Sequence, residues 1–185
     1  MKKKSLALVL ALAMIVVCVV GGTLAWLIAT TPEVKNTFTY GDIDITLAET
    51  TGTSYKMIPG YTIAKDPKVT VLAGSEKCYL FVKVAESDNF DTFMTCTIAT
   101  GWTALDGVDG VYYRIVDASE TDQEFAVLKD NQVTVRGDVT KTMLNGLTEA
   151  TQPTLTFTAY ACQYNNSNNT HFDAAAAWAK VNPTT

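Results

Sequence analysis

His171 is the only histidine in the chain of 185 residues. A catalytic zinc is usually held by at least two histidines and a carboxylate, often as H-E-x-x-H on one helix face. Neither that motif nor a second histidine is present. A serine or cysteine nucleophile would have only this ring as its base, and no local sequence marks a nucleophile elbow. No glycine-rich phosphate loop occurs either. The residues therefore predict a protein that is not an enzyme and holds no cofactor.

Oxygen chemistry is the softer alternative. Asp88 with Asp91, Asp106 with Asp109, and Asp117 with Glu120 and Asp122 sit in polar stretches where carboxylates could converge on Ca²⁺. None has the EF-hand spacing, and solvated loop carboxylates are the simpler reading. Cys78, Cys96 and Cys162 remain once the first 25 residues are set aside. An odd count is no disulfide framework, although one bridge is compatible with it. Cys78 and Cys96 alternate with apolar neighbours and read as small buried hydrophobes. Trp102, Tyr112 and Tyr113 could stack a ligand, but their spacing reads more simply as core.

The elements that position these residues are strands. Ile43, Ile45 and Leu47 alternate with Asp42, Asp44 and Thr46. Phe38 and Tyr40 alternate on the other parity, so a bulge or bend is expected at Gly41. Pro59-Gly60, Ala73 to Ser75, Asp106-Gly107 and Asp109-Gly110 are turn signals. Lys77 to Val84 is apolar on both faces and reads as a central strand covered on both sides. Val111 to Val116 and Leu155 to Ala161 are further strands. Phe125 to Leu128 and Val133 to Val135 read as a hairpin around Lys129-Asp130-Asn131; Asp138 to Gly146 is ambiguous. Many short strands with no room for helical crossovers predict an all-β fold, an antiparallel sandwich or barrel.

One short helix is expected near the C-terminal end, over 171–181. Thr170 to Asp173 has the form of a capping box with Asp in the acidic position. Ala174 to Ala177 are the best helix formers, Trp178 shares a face with Ala174 and Ala175, and Asn182-Pro183 stops the run.

The N-terminal stretch sets the compartment. Lys2 to Lys4 precede an apolar run from Leu6 to Val20, then Gly21-Gly22-Thr23-Leu24-Ala25. This is the order of a secretory signal peptide. Thr23 and Ala25 put small side chains where a signal peptidase needs them, so the cut falls between Ala25 and Trp26. The expected parts are a signal at 1–25, an N-terminal segment at 26–35 and a sandwich with its helix at 36–185. Retained instead of cleaved, the same run is a hydrophobic helix long enough to anchor the domain in a membrane. Beyond Ala25 the balance is 11 basic against 19 acidic residues, net −8. That charge argues against nucleic acid and anionic lipid as partners.

A family resemblance runs through the same residues. Gly21 to Trp26, Asn36 to Thr39 and Gly41 to Leu47 resemble the SipW-type signal peptide and first strands of the camelysin/TasA family. Ile58-Pro59-Gly60 with Lys65-Asp66-Pro67 and Val69 to Val71 is similar to that family's PG…KDP segment. Ala159 to Ala161 with Gln163, and Ala177 to Ala179, resemble its last strand and helix. The resemblance implies a jelly-roll sandwich secreted from a Gram-positive cell to its surface or matrix, a subunit of biofilm-matrix fibres joined by strand donation. Its partners would be further copies of itself, other matrix proteins and, during export, the signal peptidase. Some members carry a metallopeptidase description, which the lone His171 does not support. The segment expected to be donated is Trp26, Leu27 and Ile28, apolar residues at the new free end. The alternative is a free or tethered surface module binding a carbohydrate or a host protein.

Overall fold

The computed structural model describes residues 42–52, 54–165 and 170–182. The signal at 1–25, the cut between Ala25 and Trp26, Leu27 and Ile28, the 26–35 segment and the bend at Gly41 lie outside the described residues. What is described is mostly β: three antiparallel sheets and a few short helices.

The central strand is β4 (Cys78–Glu86). It lies between β10 (Leu155–Gln163) and β7 (Val111–Val116), with β6 (Thr103–Ala104) beyond β7. Apolar residues on both faces put it there. Cys78, Leu80, Val82 and Val84 point to one side, into a core with Val69, Val71 and Val127. Tyr79 and Phe81 point to the other, into a core with Leu105, Ala177 and Trp178. The register pairs Cys78 with Gln163 and with Val116.

The opposing layer combines two three-stranded sheets. One is β1 (Ile45–Ala48), β3 (Lys68–Val71) and β8 (Gln123–Ala126). The other is β2 (Thr62–Ala64), β9 (Gln132–Val135) and β5 (Met94–Thr95). Bonds from Lys65 N–H to the Asn131 carbonyl (2.8 Å) and from Val127 N–H to the Pro67 carbonyl (3.0 Å) prolong the β2–β9 and β3–β8 ladders toward each other. The break between β2 and β3 falls at Lys65-Asp66-Pro67. Asp66 turns outward there and takes bonds from the hydroxyls and backbone amides of Thr50 and Thr51. Those bonds, the Thr50 hydroxyl foremost, hold its carboxyl well below the usual carboxylate range. This clamp acts while Asp66 is ionised and is lost as pH falls through that lowered value.

The expected hairpin over 125–135 is not formed. β8 pairs with β3, and β9 pairs with β2 and β5. Lys129–Asn131 is a 3₁₀ turn in which Asp130 and Asn131 adopt left-handed backbone (φ 56° and 53°). Asp and Asn tolerate that region, so the residues read as a hairpin loop instead kink one continuing run.

The C-terminal helix, α3 (Ala174–Val181), covers the outer face of the β4 sheet through Ala177 and Trp178. It starts three residues later than 171. Asp173, not Thr170, is its N-cap, accepting from Ala176 N–H at 2.6 Å. Residues 171–173 are held extended: Phe172 N–H bonds the Tyr164 carbonyl, and Tyr79 Oη donates to the Phe172 carbonyl. Two other helices are single turns, α1 (Phe90–Phe93) and α2 (Lys141–Asn145), the latter resolving the ambiguous 138–146 stretch.

Gly110 shows how tightly one turn is built. Its φ is +68°, and a Cβ there would sit 2.4 Å from the Val84 carbonyl oxygen. Val84 N–H bonds the Gly110 carbonyl at 2.7 Å. Gly110→Ala should destabilise the domain by about 2 kcal/mol or more, through left-handed strain and a backbone clash. A denaturation midpoint equal to that of Gly107→Ala, where a Cβ meets nothing, would show that the clash relaxes freely.

Candidate assembly surface

The residues singled out for chemistry are not brought together. His171 is exposed and stacks on Tyr164, ring centres 5.5 Å apart. Asp117 pairs with Lys77 at 2.8 Å, and Asp122 accepts from Ala73 N–H. Among the described residues no group of three His, Cys, Asp or Glu side chains could hold a metal ion. Trp102 donates to the Ala126 carbonyl and packs, with Tyr112, against the core between the layers; Tyr113 packs on the α3 side.

All three thiols are free. Cys78 and Cys162 lie on neighbouring strands but face opposite sides of the sheet, which rules out a bridge between them. Cys96, expected to be buried, is half-buried. Its Sγ donates to Glu86 Oε1 at 3.7 Å. Burial first, and the Glu86 charge second, push this thiol up to about 12. Burial likewise raises Glu86. Neither group is set up as a nucleophile.

The surface with physical consequence is an edge. β10 is the outer strand of its sheet, nine residues long. Its bond directions follow from the two ends: Tyr164 N–H reaches the Lys77 carbonyl, and Ser87 N–H reaches the Thr154 carbonyl. In an antiparallel ladder the direction alternates, so even-numbered residues bond to β4. Leu155, Phe157, Ala159, Ala161 and Gln163 then turn their N–H and C=O outward. Among the described residues no strand pairs with that side. The strand reads Leu-Thr-Phe-Thr-Ala-Tyr-Ala-Cys-Gln, with no charge, proline or glycine. Those are the devices that blunt an edge, and β10 has none of them.

The sequence contained this signal, an uncharged strand of period two, but not its place at an edge, which depends on pairings far apart in the chain. Among the described residues no helix is long and apolar enough to cross a membrane. Searches against family models, curated proteins and solved structures found no match.

Proposed function

We propose that this chain is a secreted, non-enzymatic structural protein whose copies polymerise into an extracellular matrix fibre by strand donation. The uncharged edge of β10, which no strand among the described residues pairs, carries the reading. An extended segment from a neighbour gains main-chain hydrogen bonds along such an edge. The donor is Trp26 to Thr31, freed by cleavage after Ala25. Each copy then has one donor and one acceptor, a head-to-tail contact that generates a filament. The two-layer arrangement is read as jelly-roll-like, in keeping with the camelysin/TasA resemblance of the motifs.

Ala159→Pro tests the acceptor. Ala159 N–H points away from β4, so proline removes a donor from the open edge and leaves the β10–β4 ladder intact. The variant should keep β-rich circular dichroism and cooperative unfolding while light scattering shows no filament growth. Filaments forming at the unsubstituted rate would exclude the β10 edge as acceptor.

A further inference from the structure

We propose that the Ile58–Tyr61 turn and the groove beside it form a self-complementary face through which two copies of this chain pair about a two-fold axis. Two of the large hydrophobic residues most open to solvent share this turn, Ile58 at 55% and Tyr61 at 57% exposure. The turn is rigid. Tyr61 N–H bonds the Ile58 carbonyl, Gly60 N–H bonds the Val135 carbonyl, and Val135 N–H bonds the Tyr61 carbonyl. Pro59 and the left-handed Gly60 (φ 75°) fix its backbone. Two apolar side chains held out at a stiff tip mark a contact surface.

The receptor lies at the foot of the turn. A groove of about 780 Å³ is lined by Tyr55, Met57, Phe90, Leu144, Leu147 and Leu155. Met57 and Ile63, on either flank of the turn, both line the groove, so knob and groove adjoin. That placement selects the symmetry. A knob and groove on opposite sides build a chain; side by side, they let each copy fill the other's groove and close as a pair.

The charges fit the same operation. Lys56 and Glu149 are exposed on the groove's rim. No ion pair among the described residues engages either. In the proposed pair Lys56 of each copy faces Glu149 of the other across the two-fold axis. Among the described residues the rim thus offers a free cation and a free anion above an apolar floor, a combination complementary to itself. In a fibre this contact joins subunits laterally and does not lengthen the filament.

The test uses sedimentation equilibrium on the secreted protein carrying Ala159→Pro, which keeps filament growth out of the measurement. The expected result is a rise to twice the subunit mass with concentration. Adding Ile58→Ser and Tyr61→Ser should leave monomer throughout. Lys56→Glu alone should weaken pairing about tenfold by setting like charges together, and Lys56→Glu with Glu149→Lys should restore it. Near-UV circular dichroism checks that each variant is folded. Monomer at every concentration in the Ala159→Pro background, or no recovery in the charge swap, overturns the proposal. So does loss of the pair on deleting Trp26 to Thr31, which would assign the groove to a neighbour's N-terminal segment. If strand donation itself is wrong, Ala159→Pro is inert and the unsubstituted protein shows the same pair.

Discussion

Deleting Trp26 to Thr31 from the secreted chain abolishes filaments and leaves a folded, β-rich protein. This is the largest effect expected on assembly, and it follows from three properties of the segment. Trp26, Leu27 and Ile28 are apolar and stand at a free end after cleavage, with little reason to stay in water. Pro32 separates them from the strand expected near Asn36, so they are not obliged to follow its path. Residues 29–41 reach as much as about 45 Å when extended, enough to cross to a neighbour. Among the described residues β4 has partners on both sides, and the fully buried side chains of the cores between the layers and under α3 belong to residues 63–178. Electron microscopy and circular dichroism of the truncated chain check both halves of the expectation. Growth at the full-length rate would mean that the donor is another segment.

The largest effect on stability is expected at Leu80. Its side chain is fully buried on the middle strand of the four-stranded sheet, packed toward Val69, Val71 and Val127 of the opposing layer. Leu80→Ala removes three heavy atoms from a site closed on every side, and β4 is held by neighbours on both edges and cannot move in to fill the space. The cost should be about 2–5 kcal/mol. Against a total of about 5–15 kcal/mol for an ordinary domain, that is a large share. In urea the midpoint should fall with an unchanged slope, since the same surface is exposed on unfolding. An unchanged midpoint would contradict the central place given to β4.

The same strand shows what the sequence makes legible. Cys78 to Val82, within the Lys77 to Val84 stretch, is apolar on both faces, and only a strand covered on both sides tolerates that pattern. The glycine turns were equally readable, because Gly60, Gly74, Gly107 and Gly110 all need positive φ. The kink at Asp130 and Asn131 was not. A left-handed pair between two apolar runs reads as a hairpin loop unless the partners of each run are known, and those partners are some 60 residues away. The start of α3 moved for a related reason. Thr170 and Asp173 both suit a cap, and the contact of Tyr79 with the Phe172 carbonyl, 93 residues apart, chooses between them. The acceptor edge belongs to this class as well. Composition shows that β10 is uncharged; only the strand order shows that no strand among the described residues pairs with its outer side.

Negative-stain electron microscopy of the purified secreted chain beginning at Trp26, taken across a concentration series, tests the central claim most directly. Unbranched filaments whose length grows with concentration are expected. A monodisperse monomer or closed pair at every concentration would contradict it.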